Sequence, residues 1–326
     1  MVKHGAQSIS VEDMIPDEES ILVFTKGGYI KRTNPSEYRQ QNRGGVGVVD
    51  LNTKDEDFIT LFLSARTHSD TLFFSDRGKA YQIKMYEIPE GKRATRGKSI
   101  MNFISLSGEE KVTSVLAMPK TTKDAKMSLF MVTKYGTVKK VSADSFKDVR
   151  KSGIIALRLD QGDELLSTLL VGKGDDIILT SAKGQAIRFK ESDVREMGRT
   201  AGGVRGMKLR TGDFIVSADL LCKDAENPEL LVMSANGYGK RTPMKEYKIQ
   251  KRGGSGIKTA KVTPKIGALI VAKVVTPAYK EIVSISKKSQ VIRIAIEDVP
   301  SLGRDTQGVR IMKLREGDMI ASLTCL

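Results

Sequence analysis

The sequence predicts an all-β fold in which six blades of about 50 residues each form one propeller-like toroid. Three observations predict it. A unit made of a short apolar strand, a glycine turn and a basic strand recurs along the whole 326-residue chain. The apolar runs between turns are short and rich in Val, Ile, Leu and Phe, which is typical of strands. Helical periodicity does not extend beyond about one turn.

The first element of the repeated unit is a β-hairpin with a glycine in its turn. In the first copy, the apolar residues 21–24 precede Gly28, and Lys31 and Arg32 follow it. The later copies of this position are Gly78, Gly136, Gly184, Gly237 and Ser289. The predicted blades span residues 21–66, 67–120, 121–172, 173–224, 225–276 and 277–326, and residues 1–20 form an N-terminal linker or edge segment.

Two further elements keep the same period. After each hairpin, a polar loop carries a glycine beside basic residues, at Gly45, Gly97, Gly153, Gly203, Gly254 and Gly308. An acidic turn then opens another strand, at Asp57, Asp163, Asp213 and Asp318. Three elements in step predict four short strands in each blade.

The ring of blades must close, because an isolated blade would expose its apolar faces and its strand edges. We expect the last apolar run, residues 319–323, to complete a sheet that residues 21–24 begin.

No apolar run approaches the roughly 20 residues of a membrane helix, and the opening residues show no signal peptide. The sequence therefore indicates a soluble, cytoplasmic chain.

The charge balance favours a polyanionic partner. The chain holds 54 Lys and Arg against 39 Asp and Glu, a net charge of +15. The basic residues cluster at the repeated turns, where glycine would allow backbone N–H groups to approach a phosphate closely. We predict a basic rim that binds nucleic acid, made of Lys31, Arg32, Lys92, Arg93, Arg96, Lys98, Lys139, Lys140, Arg150, Lys151, Arg199, Arg205, Lys240, Arg241, Lys251, Arg252, Arg304 and Arg310.

The glycine loop of the first repeat is the most specific motif. It reads Gln41-Asn42-Arg43-Gly44-Gly45-Val46-Gly47 and resembles the glycine-rich basic box in the C-terminal domains of DNA gyrase A subunits. Asn42 and Val46 stand where that family normally has basic residues. A second box-like segment, residues 250–256, lies in the fifth repeat.

The resemblance covers nearly the whole chain and carries further expectations. It implies a six-bladed β-pinwheel whose blades exchange strands with their neighbours. It also implies a monomeric domain that binds duplex DNA largely without sequence specificity and wraps it around a basic rim. The partners would be the rest of the gyrase A subunit and the gyrase B subunit, in a nucleoid-associated A2B2 enzyme that uses ATP and Mg to supercoil DNA negatively.

The sequence offers no arrangement of residues for chemistry in this chain itself, so we expect no catalytic residue, cofactor or metal. His4, His68, Cys222 and Cys325 have no spacing that suggests a triad, zinc site or disulfide framework. Residues 91–99 mimic a P-loop but have one residue too many between their glycines. The alternatives are the equivalent domain of topoisomerase IV, a protein-binding propeller scaffold and a propeller hydrolase; the absence of tryptophan removes the WD40 signature.

Overall fold

The strands of the molecule follow the repeated sequence unit. A computed structural model describes residues 11–38, 57, 59–92, 95–118, 126–288 and 290–325. Each repeat supplies a hairpin and one further long strand. These strands are β1 (Glu19–Thr25), β2 (Tyr29–Thr33) and β3 (Ile59–Arg66); β4 (Asp70–Ser75), β5 (Lys79–Lys84) and β7 (Val112–Met118); β8 (Ser128–Thr133), β9 (Thr137–Ser142) and β11 (Leu165–Val171); β12 (Asp176–Ser181), β13 (Gln185–Lys190) and β15 (Ile215–Leu221); β16 (Glu229–Ser234), β17 (Tyr238–Pro243) and β19 (Leu269–Val275); β20 (Glu281–Ser286), β21 (Val291–Ala295) and β23 (Ile320–Cys325).

The remaining elements are short. The two-residue strands are β6 (Lys98–Ser99), β10 (Ile154–Ile155), β14 (Val204–Arg205), β18 (Ile257–Lys258) and β22 (Val309–Arg310). The described 3-10 helices are Glu12–Met14, Pro35–Tyr38, Met85–Glu87, Ile100–Asn102, Ala143–Phe146, Glu191–Asp193, Met244–Glu246 and Ile296–Asp298. In the described part of the chain, no helix has the length and apolar character needed to cross a membrane.

Each short strand leaves its own repeat and completes the sheet of the preceding one. The antiparallel sheets have the orders β3-β1-β2-β6, β7-β4-β5-β10, β11-β8-β9-β14, β15-β12-β13-β18 and β19-β16-β17-β22. The sixth sheet has the order β21-β20-β23 among the described residues. The third long strand of each repeat contacts its equivalents in both neighbouring blades, and these contacts close the ring; these strands are β3, β7, β11, β15, β19 and β23. The six-bladed all-β prediction and the exchange of strands are confirmed.

The repeated loop glycine is required where the exchanged strand meets its host sheet. Gly97, Gly203, Gly256 and Gly308 all have positive φ. A Cβ on any of them would lie 2.4 to 2.6 Å from a carbonyl oxygen of the facing hairpin strand. The in-phase glycine of the fifth repeat is therefore Gly256, and our assignment of Gly254 to this position was wrong.

The acidic turn holds the tip of the hairpin in its own repeat. Asp213 accepts hydrogen bonds from Ser181 Oγ at 2.7 Å and from the backbone N–H of Lys183 at 3.0 Å. Asp57 makes the same pair of contacts with Thr25 Oγ1 and the N–H of Gly27. The third periodic element therefore has a structural role. Its carboxylate joins the tip of the hairpin to the start of the strand that follows the acid.

The hydrophobic core lies between successive sheets. Between the first two blades, for example, Leu22 and Phe24 pack with Phe73 and Tyr81, and all four are buried. Full burial of one such side chain contributes about 2 kcal/mol. The middle strands are buried on both faces, as the continuous burial of β8 and β12 shows.

The ring closes by side-chain packing, and our prediction that residues 319–323 extend the sheet of residues 21–24 is wrong. β1 already has β2 and β3 on its two edges, so it has no free edge for another strand. β23 pairs instead with β20. Val23 and Ile59 of the first blade pack against Ile285 of the sixth, and Ser322 Oγ donates to the Ile59 carbonyl at 3.0 Å.

The N-terminal segment is joined to the turn between β3 and β4. Thr67 Oγ1 donates to the Pro16 carbonyl at 2.6 Å, and Arg66 Nε donates to Asp17 at 2.9 Å. β1 begins at Glu19, within the stretch that the sequence assigned to a linker or edge segment.

Candidate nucleic-acid interface

The basic loops run along the outer edge of the ring. Each of the first five sheets has its inner strand at one end of the strand order and the exchanged strand at the other. The loop that leads to the exchanged strand follows the outer hairpin strand of the preceding blade, with parallel bridges such as Arg32 to Glu90 and Lys140 to Glu196. The predicted rim is therefore formed at each of these edges by residues of the next repeat.

Eight of the predicted rim residues are exposed on these loops or beside them. They are Lys92, Arg96, Lys98, Arg150, Lys151, Arg205, Lys251 and Arg310. Some already have local partners: the Arg96 guanidinium lies 3.7 Å above the Tyr29 ring centroid, and Lys151 pairs with Glu87. The structure brings these eight residues to one kind of surface, and their contact with nucleic acid stays a prediction.

Three hairpin lysines do not lie on the rim, and their assignment to it was wrong. Lys31, Lys139 and Lys240 are at most 1% exposed. Their ammonium groups donate to backbone carbonyls of the following repeat's basic loop, such as Thr95 O for Lys31 at 2.9 Å. The alternation of side chains along a strand places them inward, a direction that the charge pattern alone did not distinguish.

The neighbouring hairpin cations are also committed to the fold. The Lys140 ammonium is buried and lies 2.5 Å from the Glu191 carboxylate. Arg241 pairs with Glu229 at 2.6 Å, and Arg32 lies 3.8 Å from Glu90 with only 13% of its side chain exposed. Arg32 and Arg241 also donate to Ile88 O and Val299 O of the next repeat. The assignment of the buried Lys140 to the rim was wrong, and binding of DNA by the partly exposed Arg32 and Arg241 stays a prediction.

Three predicted rim arginines are half-buried. Arg252 donates to the carbonyls of Asp193 at 2.9 Å and Arg205 at 3.1 Å. Arg304 donates to the Lys258 carbonyl at 3.0 Å, and Arg199 is only partly exposed. Each retains an accessible surface at the edge, but Arg252 and Arg304 also join successive loops.

Two predicted parts of the site lie outside the described residues. One is Arg93. The other is the box itself, formed by Gln41, Asn42, Arg43, Gly44, Gly45, Val46 and Gly47. Their role in binding stays a prediction.

A second series of exposed cations was missed by the sequence analysis. Arg158, Lys208, Lys261 and Lys313 each stand five residues after the loop glycine of their repeat, and all four are exposed. The backbone N–H of Lys208 donates to Gly254 O at 2.9 Å. We call these four residues the second basic row. The signal was available, since the row keeps the same period as the glycines.

The second basic row adjoins the loops of the following repeats. The N–H of Lys261 donates to Thr306 O at 3.0 Å, and the N–H of Arg158 donates to Ala201 O at 3.3 Å. Cations from two successive repeats therefore lie on adjoining segments of the chain. Exposed Lys and Arg at such a spacing can contact phosphate groups of a polyanion without forming a catalytic site.

The described residues contain no group of three or more His, Cys, Asp or Glu that could hold a metal ion. His68 lies in the turn that the N-terminal segment covers, and its Nε2 is 2.7 Å from the Ile15 carbonyl oxygen. Cys222 and Cys325 are free thiols, and burial raises the pKa of Cys325 to about 12. These side chains are therefore not arranged as a reactive centre.

Comparison with known proteins identifies the family. The family model described as the DNA gyrase C-terminal domain, beta-propeller, matches six segments: residues 19–65, 70–117, 128–171, 175–222, 228–276 and 280–326. The chain belongs to the DNA gyrase C-terminal domain family. Its resemblance to that family, inferred from the box and the repeats, is confirmed.

Two relatives of the chain are DNA gyrase A subunits that are much longer than the chain. The chain is 39% identical to the DNA gyrase A subunit of Staphylococcus epidermidis over 319 residues, which are 98% of the chain and 35% of the relative. It is 40% identical to the DNA gyrase A subunit of Lawsonia intracellularis over 317 residues, which are 97% of the chain and 38% of that relative. The chain therefore spans little more than a third of the length of these relatives.

Solved structures show the same gyrase C-terminal fold. The structure of a DNA gyrase A C-terminal domain matches with a TM-score of 0.79 and 31% identity, covering 94% of this chain and 99% of that one. The C-terminal domain of DNA topoisomerase IV matches with a TM-score of 0.77 and 23% identity, covering 96% of this chain and 94% of that one. The second likeness shows the fold alone.

Proposed function

We propose that this gyrase C-terminal domain binds duplex DNA largely without sequence specificity and bends it around the outer edge of the ring. The observation that carries the proposal is the periodic exposure of cations at the exchanged-strand edges, from Lys92 and Lys98 in the second repeat to Arg310 and Lys313 in the sixth. A curved row of Lys and Arg favours a curved polyanion. Bending a duplex over one such surface costs several kcal/mol, which many phosphate contacts together can offset.

Sequence independence follows from the chemistry of the exposed groups. Ammonium and guanidinium groups on short loops reach phosphates, which carry no base information. The described elements include no helix long enough to enter the major groove as a reading element. Binding should therefore depend on the salt concentration much more than on the base sequence.

The role in the longer protein is part of the proposal. In a gyrase A2B2 assembly, a domain that bends DNA would present a DNA crossing to the parts that cut, pass and rejoin strands with ATP and Mg. The domain itself would supply no catalytic group and no cofactor, and would act as a monomeric module beside the nucleoid in the cytoplasm. The first-repeat box would fix the sense of the wrap.

The test is to ligate nicked circular DNA in the presence of rising amounts of the chain, remove the protein and measure the linking number. We expect a progressive shift of one sign. The double variant Arg205→Glu, Lys208→Glu should reduce the shift. The control is Lys173→Glu, Lys223→Glu, which makes the same charge change on loops at the opposite end of the strands from the hairpin turns.

The outcomes separate the alternatives. Binding without a change in linking number would leave a bending or tethering module, as some topoisomerase IV-like uses would predict. Absence of binding at low salt would contradict the proposal and favour a protein-binding scaffold.

A further inference from the structure

The three buried hairpin lysines lie directly behind the basic loops. Lys31, Lys139 and Lys240 each stand three residues after the hairpin glycine, in the first, third and fifth repeats. Each side chain crosses from its own hairpin to the loop of the following repeat. They therefore occur in alternate blades and face the loops of the second, fourth and sixth repeats.

Each ammonium group donates to backbone carbonyl oxygens of that loop; Lys139 also donates to Ala156 O of its own repeat, and Lys240 to the Thr306 hydroxyl. The acceptors of Lys31 Nζ include Lys92 O at 3.1 Å and Thr95 O at 2.9 Å; those of Lys139 Nζ are Ala156 O at 2.8 Å, Ala201 O at 3.0 Å and Arg199 O; those of Lys240 Nζ are Gly303 O at 2.6 Å, Arg304 O at 2.8 Å and Thr306 Oγ1 at 3.0 Å. Three of the carbonyls belong to Lys92, Arg199 and Arg304, whose side chains are rim candidates. The ammonium thus draws the negative ends of these peptide dipoles inward, away from the surface.

The fold does not require a lysine at this position. The equivalent residues of the second and fourth repeats are Tyr81 and Ile187, both fully buried. Burying an ammonium group is costly unless its three donors are satisfied, whereas Ile187 fills the same place with apolar contacts. A buried charge that is retained in three blades, although an apolar side chain suffices in another, points to a role in arranging the loop.

We propose that Lys31, Lys139 and Lys240 are positioning residues for DNA, each of which shapes the next repeat's loop into a phosphate-binding turn by turning its carbonyl groups inward. This inference rests on the proposed DNA-binding function. It assigns the three lysines to the binding machinery although none of them contacts the DNA. Loss of the ammonium would release the carbonyls toward water and toward the approaching phosphates.

The two resolved pKa shifts make this role dependent on pH. Burial, together with the nearby Arg199 guanidinium, lowers the pKa of Lys139 to about 8. Burial likewise lowers the pKa of Lys240 to about 8, where Glu246 and Asp305 raise it and Arg304 lowers it. Both lysines therefore lose their protons in a range where exposed lysines keep them.

Stability and DNA binding should respond to pH in opposite directions. Between pH 8 and the ordinary lysine pKa, the unfolded chain holds more protons than the folded one, so the free energy of unfolding contributed by these groups rises with pH. A phosphate bound at the loop favours the charged lysine behind it. DNA binding then takes up protons, and affinity should fall as the pH rises from 7 to 9.

The experiment measures the affinity of a fluorescently labelled linear duplex for the whole chain at pH 7, 8 and 9. We compare the unchanged chain with Lys139→Met, Lys240→Met and with the control Lys173→Met, Lys223→Met, which removes two exposed charges elsewhere. Methionine keeps the length of the side chain without its charge. The Lys139→Met, Lys240→Met variant should bind duplex about tenfold more weakly at pH 7, equal to about 1.4 kcal/mol, and its affinity should depend less on pH. The control variant should change the affinity less than about twofold and keep the pH dependence of the unchanged chain.

Failure of the inference and failure of the proposed function are distinguishable. If the unchanged chain binds no duplex at low salt, the DNA-binding proposal itself fails. If the unchanged chain binds duplex, and the Lys139→Met, Lys240→Met variant binds it equally well with the same pH dependence, the positioning role is overturned. Should the double variant fail to fold, the profile of the unchanged chain decides: equal affinity at pH 7 and pH 9 contradicts the inference.

Discussion

At the scale of single residues, glycine and lysine have roles that differ from the ones their positions in the sequence suggest. The repeated loop glycines suggest access for phosphate, yet the missing side chain faces a carbonyl of the host strand. The hairpin lysines suggest surface charge, yet they are buried. In both cases the residue contacts a neighbouring repeat through the exchanged strand or its loop. The sequence of a single repeat does not show which groups of the neighbouring repeat it contacts.

Replacing Gly203 with alanine tests the structural role of the glycine. Its φ is +90°, and a Cβ would lie 2.6 Å from Val138 O, so the loop and the strand β14 must move. We expect the free energy of unfolding to fall by about 3 kcal/mol. Denaturant unfolding measures it, with Gly198→Ala as control, because a Cβ at Gly198 meets nothing within 4 Å. Equal effects of the two substitutions would contradict this explanation.

At the scale of elements, the blade is a hairpin fixed at its tip by an acid and at its outer edge by the next repeat. The acidic turn could be recognised from the sequence because Asp is common in turns, but its partners lie about 30 residues away in the same blade. The Ser or Thr that donates to it occupies the last position of the hairpin's first strand. This pairing of a hydroxyl and an acid recurs at Asp57, Asp213 and Asp318.

Substitution of this acid should destabilise the blade according to its burial. Asp213 is 5% exposed and accepts from Ser181, Lys183 and Phe214, so Asp213→Ala should lower the free energy of unfolding by about 3 kcal/mol. Asp163 is more exposed and accepts from backbone N–H groups only. Asp163→Ala should therefore cost about 1 kcal/mol. Thermal and denaturant unfolding compare the two, and a larger loss at Asp163 would refute the argument.

At the scale of the whole molecule, the sequence predicted the all-β class and the six repeats correctly. A fixed period can be recognised without knowing which distant strands pair with one another. The partner of the last strand was predicted wrongly. Pairing of β23 with β20 depends on which strand edges are free, and both edges of β1 are occupied by β2 and β3 of its own blade. Charge clustering predicted a basic rim, and binding of DNA there stays a prediction. The inward direction of Lys139 required the fold, whereas the row at Lys208 keeps the period of the glycines and could have been found in the sequence.

The salt dependence of DNA binding tests the second basic row. If Arg158 and Lys208 each neutralise one phosphate, Arg158→Ala, Lys208→Ala should reduce the slope of log affinity against log salt by about 1.8. The control Lys173→Ala, Lys223→Ala should leave the slope unchanged. The measurement is a titration of labelled duplex at four salt concentrations. A slope unaffected by the first pair would remove those two residues from the DNA path.

Because short strands are exchanged between blades, the stretch of sequence that can be gained or lost as one repeat is not the same as one blade. A cut at the border of a blade would leave the preceding sheet without its outer strand and would leave that strand attached to the wrong neighbour. A permuted segment of one full period, such as residues 154–203, instead supplies β10 to the second sheet, β11 to the third and the hairpin β12–β13 to the fourth, so its gain or loss leaves every remaining sheet with the same kinds of strand. Rings with more or fewer blades should therefore arise, in evolution or by engineering, through gain or loss of such permuted segments.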